Sequence, residues 1–420
     1  MSGATAGAQV DLSVPDDVRT IASDEEAVAA ASAYADAIRP DAVERDRSRR
    51  LPGEELRELA RTGLLGARVP VAYGGAGVSN ATVAEVFRLI SAADPAIGQI
   101  PQNHFAFVEL LVRSGSEAQR EFFMPEFLRG ARLGNALSER GGRTSRDWVT
   151  RLARQPDGSL RLDGRKYYST GALTAQWIPV FALDDADEVA VAYVPREAPG
   201  VTVDQDWDVF GQRATFSGTT TLEGVVVPDE HVVSRALSHG ERGDGGERAQ
   251  PDTFAAFGQL MHVAVDAGIA RGALDDGAAF LRERARPWWE ADVERAADDP
   301  HLLRLAGELD AQVRACEALL ASAARALDAA DAAPGDLDAI TAARLEVAAA
   351  KAFAGDTALH VASQIFDVSG SSAADARHGL DRHWRNARTH TLHDPARSKH
   401  VHLGRHLVDG VAPPVGHTLV

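Results

Sequence analysis

Hydrophobic and polar positions divide the chain into three textures. From Asp24 to Gly63 apolar residues recur at helical spacing, beginning with Val28, Ala31, Ala35 and Ile38. Ser23 or Asp24 can cap this helix, Pro40 interrupts it, and a second helix runs from Pro52 to Arg61. Helical patterning continues through Ala81–Asp94, the segment around Asn103–Val108, and Ser116–Leu128. After Gly134 the period shortens to that of strands: Val149–Leu152, Leu160–Leu162, Lys166–Ser169, Trp177–Leu183, Val189–Val194, Val201–Asp204 and Thr219–Val227, with turns at Pro156-Asp157-Gly158 and Asp163-Gly164. Roughly 100 residues of short strands predict an antiparallel barrel or sandwich. From Thr253 long amphipathic helices return, about Thr253–Arg284, Pro300–Ala330, Asp336–Val368 and Ala373–His393, the pattern of an antiparallel four-helix bundle.

The expected organisation is therefore a disordered leader (1–20), an N-terminal helical domain (21–132), a middle β domain (133–237), a flexible linker or loop (238–252), and a C-terminal four-helix bundle with its tail (253–420). The class is α+β, mostly α. Ser138–Asp147 is a polar, glycine-containing loop placed to close over a ligand. The run Tyr73-Gly74-Gly75-Ala76-Gly77 lacks both a lysine-serine ending and a long preceding strand, so it reads as a close-packed turn and not a phosphate cradle.

At 420 residues, with 45% hydrophobic and 25% charged positions, the chain can bury a large core and is neither fibrous nor disordered in composition. A net charge of −17 argues against a nucleic-acid or anionic-membrane partner, which would need a positive contact surface. The single cysteine, Cys316, lies in a helical apolar pattern and is expected to be a buried small hydrophobe in a reducing compartment. No apolar run is long enough to span a bilayer and the first residues lack a secretion pattern, so the expected location is the cytoplasm.

Chemistry concentrates near the end. Eight of the fourteen histidines lie from His378 onward. His390 and His393 are three apart on what should be the last turns of a helix, a spacing that puts both imidazoles on one face, where they can donate or accept protons near neutral pH. His104 is a lone histidine in an apolar helix.

The order helical domain, small β domain, four-helix bundle resembles the acyl-CoA dehydrogenase fold over nearly the whole chain. Within it, Ala285-Arg286-Pro287-Trp288, Asp206-Trp207-Asp208 with Gly211-Gln212-Arg213, Gly218-Thr219-Thr220, Tyr167-Tyr168-Ser169-Thr170-Gly171-Ala172 and above all Asn386–Pro395 resemble flavin-dependent monooxygenases of the dibenzothiophene monooxygenase type, and especially the sulfur-acquisition oxidoreductases called SfnB, which Gly410–Pro414 also resembles. The resemblance implies a homotetramer whose flavin lies between the β domain and the bundle. It implies reduced FMN, with FAD as the alternative, delivered by a separate NAD(P)H-dependent flavin reductase.

By motif, Asn135 and Ser138 would meet the flavin ring, Ser145 the phosphate side, and Tyr167, Ser169 and Trp207 would wall the ring, with Ser217 a further member. Arg284 would reach a phosphate; Gln364 with Ser369, Gly370 and Ser371 would approach a flavin from the neighbouring subunit. The physical needs agree, since amides and hydroxyls match a flavin's polar edge and aromatic faces stack on its plane.

A dehydrogenase of this fold needs a glutamate base near the end of the bundle or early in its first helix. No glutamate follows Glu346, and none lies between Glu247 and Glu283. An oxygenase needs a dry pocket and proton donors, which His393, His390, Ser169 and His104 supply as candidate catalytic groups. Val108 stands where the dibenzothiophene enzymes carry a tyrosine, which favours a small sulfone, sulfinate or thioether. A dehydrogenase, an oxygenase acting on nitrogen or carbon, a histidine metal site and a non-catalytic binding protein remain as alternatives.

Overall fold

The computed structural model describes residues 11–144, 147–234 and 252–414. Ser23 caps α1 (Asp24–Ile38) through its side chain, and Pro40 converts the next turn to a tighter one before α2 (Ala42–Ser48). After α3 (Gly53–Arg61) come α4 (Asn80–Ala93), the short α5 (Pro95–Gln99), α6 (Gln102–Ser114) and α7 (Glu117–Leu128). Ser116 and Gln119 form a reciprocal capping box at the start of α7. The Gly74–Gly77 run is a turn: a β-carbon on Gly75 would lie 2.1 Å from the Val69 carbonyl, so the backbone there packs on itself and leaves no anion cradle.

The expected disordered leader overlaps the described residues at 11–20. There the Leu12 carbonyl accepts from Gln176, Asp17 pairs with Arg61 and Asp11 with Arg57. These contacts hold the segment along α3 and the β domain.

The strands β1 (Arg151–Arg154), β2 (Leu160–Lys166), β3 (Trp177–Leu183), β4 (Val189–Pro195), β5 (Val201–Val203), β6 (Thr220–Val227) and β7 (Val232–Ser234) form one sheet in the order β5-β6-β2-β1-β3-β4-β7. All pairings are antiparallel except β1 with β3, which touch in parallel through Arg151 and Leu183. Beyond the sheet lie α8 (Phe254–Glu283), α9 (Pro300–Asp331), α10 (Leu337–Ser369), α11 (Asp381–His390) and α12 (Ala396–Asp409). Among the described residues no helix is long and apolar enough to cross a membrane. The expected linker at 238–252 falls outside the described residues except for Asp252.

Three apolar clusters organise these layers. The largest joins α1, α3 and α4 to α8, α9 and α10 without a break, so the N-terminal helices and the bundle share one core. A second covers one face of the sheet with Leu152, Leu162, Ile178, Val180, Ala192 and Val225. A third, built on Phe107, Phe123, Phe127, Phe181 and Tyr193, fastens α6 and α7 to β3 and β4. Cys316 is buried in the first cluster, and burial pushes its thiol up to about 12, which leaves it inert.

The helix expected over Ala373–His393 is broken. Two tight turns cover Ser371–Ala374 and Ala376–His378, and Gly379 adopts a left-handed φ of 61°, so α11 starts only at Asp381 and ends at His390. His393 therefore lies in the turn beyond the helix and does not share a helical face with His390.

Candidate active site

The β domain meets the bundle where two of the sequence motifs touch. The backbone N–H of Gln212 donates to Asn386 Oδ1 at 2.6 Å, and Gln212 Nε2 reaches the Pro95 carbonyl. A β-carbon on Gly211 would stand 1.9 Å from the Arg385 carbonyl, so only glycine lets this loop lie on α11. Arg385 in turn pairs with Asp46 of α2. The loop is thus seated one helical turn from His390.

On the β side, Ser138 and Tyr167 form an isolated bridge, with the Tyr167 N–H donating to the Ser138 carbonyl at 2.8 Å. The Arg140 guanidinium lies 4.3 Å from the Tyr167 ring centroid and 5.1 Å from that of Tyr168, and Tyr168 meets Trp207 edge-to-face at 6.2 Å. Tyr168 holds φ at 59°, uncommon for a bulky residue, and its ring stays half exposed. Ser169 is fully buried, yet its hydroxyl has no hydrogen-bond partner among the described residues. Asn135 is half-buried beside the bridge residues Leu133 and Ala136, and its amide makes no hydrogen bond within the described residues. A buried unpaired hydroxyl, a half-buried free amide and aromatic walls form a set that a polar-edged planar ligand would satisfy.

Other expected members are occupied otherwise. Ser217 Oγ lies 2.7 Å from Thr170 Oγ1 and 2.8 Å from Thr215 Oγ1, a closed hydroxyl network that holds the loop. Trp207 spends its N–H on the Gln212 carbonyl, leaving only its ring faces. Ser145 lies outside the described residues. Arg284 caps the end of α8 and donates to His378 Nδ1. Ser369 is buried with its hydroxyl on the Gly277 carbonyl, a helix-to-helix contact and not a ligand contact. Gln364 is half-buried near the end of α10, and Gly370 and Ser371 are exposed there. This second group sits roughly 33 Å along α8 from the histidines. Within one chain the two groups do not converge.

His104 is not available for chemistry in this arrangement. Its Nε2 lies 2.8 Å from the Leu65 carbonyl and its Nδ1 accepts from the Leu133 N–H at 3.2 Å, so both ring nitrogens tie α6 to neighbouring backbone. Burial lowers its pKa to about 4. The unfolded chain takes up this proton below about 6.5 while the native state refuses it until about 4, so stability falls as pH falls through that window, by about 1.4 kcal/mol per pH unit. Replacing His104 with glutamine is expected to remove that part of the slope, read by urea unfolding between pH 7 and pH 4.5.

The histidines converge through a residue that the spacing did not reveal. His262 Nδ1 lies 3.1 Å from His390 Nε2, and its ring lies 4.1 Å from that of His393. His390 Nδ1 is 2.5 Å from Asp266 Oδ1, and Lys351 Nζ is 3.0 Å from Asp266 Oδ2. Asp266 is fully buried but stays below the usual carboxylate range because Lys351 and His390 outweigh its desolvation. His390 and His262 are both lowered, chiefly by burial. His393 is exposed, with Nδ1 3.5 Å from the buried Asp394, which Lys399 pairs at 3.2 Å. The visible signal was His262 and Asp266 four apart on one face of an otherwise apolar helix. Among the described residues no group of three metal-ligating side chains is arranged to hold a metal. A separate cleft of about 420 Å³ between α1, α4, α8 and α9 shares no residue with this site, and Glu317, Arg88 and Arg271 close its charges on one another.

Family models for the acyl-CoA dehydrogenase N-terminal, middle and C-terminal domains match residues 23–131, 134–225 and 260–397. The chain belongs to the acyl-CoA dehydrogenase family. Among curated relatives it is 34% identical to dibenzothiophene monooxygenase of Rhodococcus erythropolis, covering 94% of this chain and 96% of that protein. It is 31% identical to the probable FMNH2-dependent monooxygenase SfnC of Pseudomonas putida, covering 92% and 96%. Among solved structures it matches FMN-bound TdsC from Paenibacillus sp. A11-2 with a TM-score of 0.86 at 30% identity, covering 94% and 100%. Methanesulfinate monooxygenase MsuC of Pseudomonas fluorescens follows with a TM-score of 0.84 at 27% identity, covering 94% and 99%.

Proposed function

We propose that this family member is a two-component flavin monooxygenase that uses reduced FMN and dioxygen to oxygenate a small organosulfur compound. One observation carries the choice against a dehydrogenase. The carboxylates at the histidine end of the bundle, Asp266 and Asp394, are both buried, ion-paired with lysines and shifted below the ordinary carboxylate range. So held, they are weak bases with no freedom to abstract a proton next to a thioester. The imidazoles of His262 and His393, which can accept or donate hydrogen bonds, occupy the open side instead. The oxygenase names of the relatives agree with that division.

FMN fits the residues present. Ser169, Asn135 and Ser138 offer polar groups to its edge, and Tyr167 and Trp207 offer aromatic faces. When bound and reduced, the flavin supplies the electrons that activate dioxygen. The chain's own part is to exclude water at the junction of β domain and bundle, to orient the ring between aromatic faces, and to hold protons on His393. Arg284, Gln364, Gly370 and Ser371 lie too far from that junction to serve the same flavin in one chain, which favours a homotetramer in which they serve a neighbour's. A diffusing NAD(P)H-dependent reductase is the electron source, and the cytoplasm the expected location.

The test mixes the protein with a flavin reductase, NADH, FMN and a panel of sulfones, sulfinates and thioethers. Oxygenated product from a small member is the expected result. Return of all consumed oxygen as hydrogen peroxide across the panel would refute the sulfur assignment, and bleaching of bound flavin by an acyl-CoA without oxygen would establish the dehydrogenase instead.

A further inference from the structure

Behind His393 lie buried groups that are coupled to one another. They form a continuous chain across three helices: Lys351 on α10, Asp266 on α8, His390 on α11, and His262 back on α8. Lys351, Asp266 and His390 are almost completely shielded from solvent, while His262 is half-buried at the open end. Among the described residues the other charged or titratable groups facing this cluster are His393 and Asp394 from the turn after α11, Lys399 from α12, and the buried Cys316 of α9, whose thiol feels the Asp266 charge.

Hydrogen positions follow from donor and acceptor counting. An ionised carboxylate only accepts, so Lys351 donates to Asp266 Oδ2 and His390 Nδ1–H donates to Oδ1. Lys351 already neutralises the carboxylate, so His390 need not carry a second positive charge, and its burial disfavours one. Neutral His390 then has a lone pair on Nε2, which must accept from His262 Nδ1–H at 3.1 Å. His262 is left with a lone pair on Nε2, a position with no hydrogen bond within the described residues.

We propose that Asp266, acting through His390, is a positioning residue that fixes His262 as a neutral ring with its Nε2 as a hydrogen-bond acceptor beside His393. This rests on the oxygenase reading for its purpose. Two imidazolium rings 4.1 Å apart would repel, so a neutral His262 leaves His393 as the ring of the pair that can carry the proton. If a proton does reach His262 Nε2, the ring can release its Nδ1 proton to His390 Nε2, and the charge then rests beside Asp266. The proton count is unchanged and no other reactant is needed.

One substitution deep in the bundle should reverse both tautomers. In Asp266→Asn the side-chain amide turns its oxygen to Lys351 and its N–H to His390 Nδ1. His390 must then carry its proton on Nε2 and donate to His262 Nδ1, and His262 must move its own proton to Nε2. A wrong tautomer, not a lost contact, is the consequence.

Nitrogen-15 NMR of histidine-labelled protein without flavin reads this directly, with His262→Gln and His390→Gln assigning the two rings. The expected result is Nδ1–H on both rings in the natural protein and Nε2–H on both in Asp266→Asn. In the complete assay Asp266→Asn is expected to form about tenfold less oxygenated product per dioxygen consumed, with FMN affinity by fluorescence unchanged. Nε2–H on His262 in the natural protein overturns the relay even if the variant fails to fold, as do unchanged tautomers in a folded variant. Flipped tautomers with unchanged coupling overturn the relay's part in the reaction. The assigned tautomers in a protein that oxygenates none of the panel uphold the relay and refute only the oxygenase reading.

Discussion

Replacing His393 with alanine is expected to lower oxygenated product per NADH by roughly 100-fold and to send the missing oxygen to hydrogen peroxide. The magnitude is that of a positioned proton donor, and the geometry singles out this ring. His390 is enclosed, with one nitrogen on Asp266 and the other on His262. His104 has both nitrogens on backbone. His393 is exposed, one nitrogen faces Asp394 at 3.5 Å, and the other makes no hydrogen bond within the described residues. Because its side chain is 38% exposed and belongs to none of the three apolar clusters, the alanine variant should keep its fold and melting temperature, which separates a chemical loss from a structural one. Product and peroxide are quantified together against NADH consumed; unchanged coupling would remove His393 from the mechanism.

The elements were legible in the sequence wherever one periodicity ran unbroken. Trp177–Leu183 is a strand over the very residues that its apolar run marks; the helix expected at Thr253–Arg284 is one residue shorter at each end, and the one expected at Pro300–Ala330 starts at Pro300 and runs one residue further. The last bundle helix was misread because Gly379 is a single left-handed residue inside an otherwise helical composition. That misreading carried into the site: His390 and His393 were expected to meet along one helix face, whereas His262 brings them together from 128 residues earlier. Periodicity tells which side of a helix is apolar, not which other helix it faces. Lys351 was hidden for the same reason, as a cation in an alanine-rich helix whose partner lies on α8. The α12 helix, packed on α10, escaped because its composition is basic and its outward apolar residues Leu407 and Val408 break the pattern. The roles of Ser217 and Ser369 could not be read either, since a hydroxyl's partner depends on tertiary neighbours.

Lys351→Met should be the most damaging single change to stability in the site. Methionine nearly matches the volume of the lysine stem, so packing is kept and the loss is electrostatic. Lys351 is 2% exposed and Asp266 fully buried, and removing one partner leaves the other charge uncompensated, at a cost of about 3–5 kcal/mol. The pH dependence should change sign in a defined way. In the natural protein His390 is held below its ordinary value, so as pH falls below about 6.5 the unfolded chain binds a proton that the native state resists, and stability falls. Without Lys351 the carboxylate draws a proton onto His390, whose native pKa rises above the unfolded value. That contribution is fully present below about pH 6.5 and is lost as pH rises through the raised pKa. The variant should therefore lie furthest below the natural protein near pH 8, and the gap should narrow toward pH 6. Urea unfolding at both pH values checks this: a gap independent of pH would show that Asp266 finds its compensation somewhere other than His390.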